Sequence, residues 1–217
     1  VRIYHLYLKN EIWERNEQDL FKYLSNDRRM LCDRFRFDKD KKLCLYSELL
    51  LKYTLFNDYD ISHDEFIIRK DKNNKPFLDN KTLYFNYSHS EKAIILAVSR
   101  RNEIGADIEY ISENVPFEIT DTVFCDDEKK YLDNSNSINE KIMRFYEIWT
   151  KKEAYTKSIG SGIVADLKEI NVINEIISNQ FISGVFNEYY VSVFCGGDND
   201  AEDIFITDFD LYKFFIN

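Results

Sequence analysis

The chain has 217 residues, 44% of them hydrophobic and 31% charged, with only two prolines and six glycines. That composition excludes a disordered or fibrous chain and fits one large domain or two small ones. The net charge of −10 argues against a general nucleic-acid binder, which needs a broad basic surface.

The opening residues Val1 to Leu6 alternate like a strand and lack the build of a secretion signal. The longest apolar run, Ala93 to Val98, is far short of the roughly 20 residues that cross a bilayer. No membrane partner and a cytoplasmic location are therefore expected. A strand is expected over residues 1–9, then helices over Glu17–Leu24 and Arg28–Asn57, the second carrying Leu31, Phe35, Leu45, Leu49 and Phe56 at helical spacing. Ile61–Arg69 reads as a strand, followed by a turn at Lys72–Pro76. Strand-like runs Leu83–Tyr87 and Lys92–Ser99 flank Ser88-His89-Ser90.

The polar stretch Arg100–Glu103 is the expected boundary between an N-terminal α+β half, residues 1–103, and a C-terminal half, residues 104–217. The two differ in charge, +3 against −13. In the second half a strand is expected over Ile104–Ile111, and helices over Asp126–Leu132 and Asn139–Ser158. Strands are expected at Glu169–Ile177, Gln180–Val185, Tyr189–Cys195 and Ile204–Phe209. This order of elements roughly repeats that of the first half. Cys32, Cys44, Cys125 and Cys195 are far apart and only three histidines are present, so neither a zinc site nor a disulfide framework is expected.

Three segments carry chemistry. In Gly105-Ala106-Asp107-Ile108-Glu109 the apolar residues alternate with two carboxylates, which a strand would send to one side, Cα atoms about 6.6 Å apart. Two hard oxygen donors facing one way suit Mg²⁺, although an isolated Asp-x-Glu also describes a solvated acidic face. In Phe145–Lys157, Trp149, Glu153 and Lys157 lie four apart on one helical stripe, which alone could be a surface ion pair beside a packed Trp. Gly160-Ser161-Gly162 is expected to end that helix in a flexible connector. Phe85–Ser90 ends in small hydroxyl donors and His89, which can donate to phosphate. Positive charge gathers at Arg28, Arg29, Arg34, Arg36, Lys39, Lys41 and Lys42, and again at Arg69, Lys70, Lys72 and Lys75, where a small polyanion could sit.

A Lys-Pro turn, Asn-x-Ser-His-Ser, Gly-x-Asp-x-Glu and Trp-x-x-Lys-Glu-x-x-x-Lys, in this order and spacing, resemble the 4′-phosphopantetheinyl transferase superfamily, with the closest likeness to its monomeric, double-length members. The resemblance covers residues 3 to about 165. It implies a pseudo-twofold pair of α+β halves with the active site in the cleft between them. It also implies transfer of phosphopantetheine from coenzyme A to a serine of an apo acyl or peptidyl carrier protein, with Mg²⁺ as cofactor. Asp107, Glu109 and Glu153 match the metal positions. Arg28, Lys42, Lys75, Ser88, His89 and Lys157 match, or lie beside, positions that hold the coenzyme. Glu153, Lys157 and Asp107 are the expected catalytic residues, Glu153 as the base for the carrier serine. Leu31 and Leu43 depart from the basic residues of close relatives. The loop Ile111–Phe117, which in relatives meets the carrier, holds Glu113, while Ile111, Val115 and Phe117 could dock an apolar helix. Carriers of this kind present their serine at the start of an acidic helix. A cleft built within one chain needs no second subunit, so a monomer is expected. The alternatives are a metal-dependent phosphodiesterase or nuclease, and a relative that binds coenzyme A without transferring anything.

Overall fold

In a computed structural model, which describes residues 1–62, 67–79, 83–160 and 167–216, strand β1 (Arg2–Tyr7) is covered on both faces. Its period-two alternation sends Tyr4 and Leu6 into one hydrophobic cluster and Ile3 into another. β1 pairs antiparallel with β5 (Ala93–Ser99) and parallel with β9 (Glu202–Thr207), and β5 pairs antiparallel with β4 (Tyr84–Ser90). The resulting sheet runs β4-β5-β1-β9. Buried throughout, β5 is the continuous apolar run seen in the sequence. β4 continues through Ser88, His89 and Ser90 instead of ending before them.

Three helices cover the first cluster's side of this sheet: α1 (Arg15–Leu20), α2 (Asn26–Cys32) and α3 (Asp38–Tyr59). The single helix expected over Arg28–Asn57 is broken. Ser25 caps α2 by accepting from the Arg28 amide at 3.3 Å, the helix ends at Cys32, and α3 restarts from Phe37. The helix expected over Glu17–Leu24 is α1 followed by a 3-10 turn at Phe21–Tyr23. Of the strand expected over Ile61–Arg69, β2 (Ile68–Lys70) is formed, pairing with β3 (Pro76–Leu78); residues 63–66 lie outside the described residues.

The second sheet runs β6-β8-β7, from β6 (Gly105–Tyr110), β7 (Phe181–Phe186) and β8 (Tyr189–Phe194), all antiparallel neighbours. Between β6 and β7 the chain forms α4 (Thr120–Val123), α5 (Asp126–Asp133) and α6 (Ile138–Ile159). Residues Glu169–Ile177, expected as a strand, instead form a 3-10 turn at Leu167–Glu169 and helix α7 (Glu175–Ser178). Asn174 starts that helix by accepting from the Ile176 amide at 3.0 Å. Each half thus runs from a strand through short helices to a 22-residue helix, α3 or α6, and then to further strands.

The expected division at residues 103 and 104 does not hold for the end of the chain. β9 belongs to the first sheet, beside β1, and it ends at Thr207 instead of Phe209. Thr207 and Asp210 exchange hydrogen bonds of 2.9 and 3.1 Å that start α8 (Asp208–Ile216), a helix the sequence reading omits. Its Leu211 and Phe215 join the first cluster. Among the described residues no helix is long and apolar enough to cross a membrane.

Candidate active site

Alternation along β6 turns Ala106 and Ile108 into the second cluster, with Ile104 just before the strand, and Gly105, Asp107 and Glu109 to the opposite face. That face is covered by α6. A Cβ on Gly105 would lie 1.9 Å from the Ala154 carbonyl oxygen, so only glycine permits this approach. Asp107 is consequently 3% exposed, which removes the solvated-face alternative.

On α6, Trp149 and Lys157 reach different ends of the same strand. Trp149 faces Glu109 and favours its ionised form. The Lys157 ammonium is 2.5 Å from Asp107 Oδ1 and 2.9 Å from Ser88 Oγ. The ion pair expected along the helix between Glu153 and Lys157 is therefore replaced by one from helix to strand.

β4 and β6 are edges of separate sheets, and alternate side chains of β4 join them. Asn86 Oδ1 accepts from the Ala106 amide at 2.9 Å. Ser88 donates to Asp107 Oδ1 at 2.9 Å, and Ser90 to Glu109 Oε2 at 3.0 Å. Ser90 also accepts from the Tyr110 amide at 3.1 Å. Ser88 is expected from the sequence as a coenzyme contact; Asn86 and Ser90 are not, although Asn86, Ser88 and Ser90 stand at the period of two that places them on one face.

Burial and the charge of Asp107 push Glu109 up to about 7, against the smaller opposing effects of Ser90, Trp149 and Lys157. Glu153 is raised by burial and by Asp107, with Lys157 opposing. Among the described residues no three His, Cys, Asp or Glu side chains converge as a ready metal cluster. Lys157 stands beside Asp107 in this structure. The donor set still fits a hard cation with few protein ligands. Asp107 Oδ2 is buried without a hydrogen-bond partner, beside two carboxylates whose ionised forms are poorly compensated.

The expected coenzyme contacts fall into two groups. Arg28 is near this face, donating to the Tyr87 hydroxyl at 2.7 Å and pairing with Glu48 at 3.5 Å. His89 is exposed at its surface yet crowded; that desolvation, with the charges of Lys157 and Arg28, lowers its pKa. Lys75 closes the end of α6, 2.7 Å from Glu103 and 2.6 Å from the Ser158 carbonyl, which suits the negative end of a helix dipole. Asn73 of the same turn donates to the Gly160 carbonyl, and Gly160 ends α6 with φ +63°; Ser161 and Gly162 of the expected connector lie outside the described residues. Beside Lys75 a cavity of about 300 Å³ opens between Pro76, Phe77, Tyr84 and Phe85. Lys42 is a correction. It is 1% exposed and held by Glu17 at 2.9 Å, Asn10 at 2.9 Å and the Ile12 carbonyl at 3.1 Å, so it anchors α3 to α1 and to the chain before it, with its ammonium already enclosed.

A fold of two such α+β units, with buried carboxylates and a lysine where their edge strands meet, defines a class. The 4′-phosphopantetheinyl transferase N-terminal model matches residues 12–101 and the 4′-phosphopantetheinyl transferase superfamily model matches residues 103–205. The chain belongs to that superfamily. It is 33% identical to the 4′-phosphopantetheinyl transferase gsp of Aneurinibacillus migulanus over 71% of this chain and 63% of that relative, which it therefore spans over less than two thirds. It is 25% identical to the 4′-phosphopantetheinyl transferase Sfp of Bacillus subtilis strain 168, over 79% and 76% of the two chains. To the 4′-phosphopantetheinyl transferase HetI of Nostoc it is 29% identical, over 73% and 68%.

Proposed function

We propose that this chain transfers 4′-phosphopantetheine from coenzyme A to a serine of an apo acyl or peptidyl carrier protein, as its relatives' names imply for them. The observation that carries the reading is the buried Asp107, paired with Lys157 and Ser88 and left with one unpartnered oxygen, at the seam of the two sheets. Asp107, Glu109 and Glu153 would hold Mg²⁺, which when bound neutralises the diphosphate and the charge left on 3′,5′-ADP.

The chain's own groups do the rest. Lys157 exchanges Asp107 for a phosphate oxygen and fixes the reacting group in line. Arg28, His89 and Lys75, spread from Tyr87 to the end of α6, hold the remaining phosphates, and the cavity beside Lys75 takes apolar parts of the coenzyme. Glu153 takes the proton from the carrier serine Oγ; burial raises its proton affinity, which suits a base. The product carries a thiol-ended tether of the kind peptide and polyketide synthetases use. The reading places the enzyme in the cytoplasm, where coenzyme A and newly made carriers meet, and as a monomer, because both edge strands of the seam come from one chain.

Intact-mass measurement of an apo carrier incubated with coenzyme A, Mg²⁺ and the protein tests this. The expected result is a gain of one phosphopantetheine per carrier, lost with Asp107→Ala while circular dichroism of that variant stays unchanged. An unmodified carrier across a panel of acyl and peptidyl carriers would refute it.

A further inference from the structure

The loop between α2 and α3 has a surface unlike the rest of this acidic chain. Arg34, Phe35, Arg36 and Phe37 are all exposed. Phe37 is 64% exposed, Phe35 40%, and Met30 on the last turn of α2 61%. The Arg36 guanidinium lies 5.7 Å from the centre of the Phe37 ring. Neighbouring cations are neutralised, Lys39 by Glu91 at 2.8 Å and Lys41 by Asp33 at 3.5 Å. Among the described residues Arg34 and Arg36 have no carboxylate partner. Exposed large apolar side chains interleaved with unpaired charge mark an interaction surface.

This surface is continuous with the active site. Glu91, which receives Lys39, directly follows Ser90, and Arg28 on α2 reaches Tyr87 of β4. The loop at 111–117, by contrast, offers little to an acidic helix. Ile111, Val115 and Phe117 pack against buried side chains of α5, α6 and the second sheet, with the Phe117 and Phe145 rings 5.6 Å apart. Glu113 and Glu118 face outward there, where they would repel a carrier's carboxylates.

We infer that the α2–α3 loop, with Met30, is the docking platform for an acidic, amphipathic helix of the carrier protein. Arg34 and Arg36 meet its carboxylates, and Met30, Phe35 and Phe37 meet its apolar face. The inference rests on the transferase reading for the identity of the occupant, not for the existence of the platform. An anionic membrane fits less well, since clusters that bind one use about four to eight basic residues, and only Arg29, Arg34 and Arg36 lack a carboxylate partner here among the described residues.

Two double variants test it, Arg34→Glu with Arg36→Glu and Phe35→Ser with Phe37→Ser. All four side chains are exposed, so circular dichroism and the urea midpoint are expected to match wild type. Binding of a fluorescent apo acyl carrier protein and an apo peptidyl carrier domain is measured by anisotropy without coenzyme A, so that turnover is not needed. Charge reversal is expected to weaken binding roughly tenfold or more, and loss of the rings roughly fivefold or more. Added salt is expected to weaken wild-type binding, and the Michaelis constant for coenzyme A is expected to stay unchanged. Equal carrier affinity in wild type and both variants overturns the platform, as does failure of wild type to bind either carrier. Phosphatidylserine vesicles provide a further arm: binding lost on charge reversal while carrier binding persists would overturn the inference in favour of a membrane. If carriers bind through the platform but gain no phosphopantetheine, the platform stands and the transferase reading fails.

Discussion

Replacing Glu109 by Gln removes a carboxylate whose ionisation the folded protein opposes. Burial and Asp107 raise it from 4.5 to about 7, so folding favours its neutral form. Below about pH 4.5 the group is protonated in both folded and unfolded chains and contributes nothing to the pH dependence of stability. Between pH 4.5 and 7 the unfolded chain releases the proton first, and stability falls as pH rises; above about 7 the loss is complete. A shift of this size corresponds to about 3 kcal/mol, as an upper figure. Glu109→Gln keeps the shape and an oxygen for Ser90, so it is expected to unfold at higher urea than wild type at pH 8 and at similar urea near pH 4.5. The assay is equilibrium urea unfolding of both proteins, without Mg²⁺, across that range. A difference that does not grow with pH, or a variant less stable at pH 8, would refute the reasoning. The same variant is expected to lose transfer activity, since the charge that destabilises the fold is the one proposed to meet the metal.

Glu153→Gln separates two roles: loss of a base is expected to slow single-turnover transfer by about 10²–10⁴-fold with coenzyme binding retained, whereas recovery at high Mg²⁺ would make Glu153 a ligand. Arg28→Ala and Lys75→Ala are expected to raise the Michaelis constant for coenzyme A more than that for the carrier, checked by varying each substrate in turn; the opposite pattern would move these residues out of the coenzyme site. Gly105→Ala drives a methyl group into the Ala154 carbonyl, and overpacking of this kind costs about 1–3 kcal/mol or more. It is expected to lower the thermal midpoint and activity together, and an unchanged midpoint would mean that α6 can lift from β6 freely.

The reacting groups were legible because their constraints are local. Period two separates Asp107 and Glu109 from Ala106 and Ile108, and a four-residue spacing aligns Trp149 with Lys157, so the faces follow from the chain itself. What the sequence concealed depends on distant partners. Lys42 looks like its neighbours in a basic run, yet Glu17, on a different helix, draws it inside. Lys157 could have paired with Glu153 one turn away, but α6 lies against β6 and Asp107 takes it. The break at Asp33–Phe37 was hidden because Leu31 and Phe35 keep helical spacing across it, whereas the Ser25 cap and the restart at Phe37 decide it. The strand expected at Glu169–Ile177 failed for the opposite reason, since a single Asn174 cap outweighs a run of β-branched residues.

The parallel pairing of β9 with β1 joins residues about two hundred positions apart. During synthesis, β1 emerges early but its sheet lacks an edge until residue 207 has left the ribosome. Contacts of such sequence separation fold slowly, because the intervening chain must be ordered before they form. The edge of β1 that β9 covers therefore stays unpaired until the second half is made. Evolution by shuffling would also be constrained: an N-terminal half cut at residue 103 would expose the edge of β1 that β9 covers, an invitation to strand-to-strand aggregation. Co-expressing residues 1–103 with residues 104–217 would be expected to restore solubility that the first fragment alone lacks.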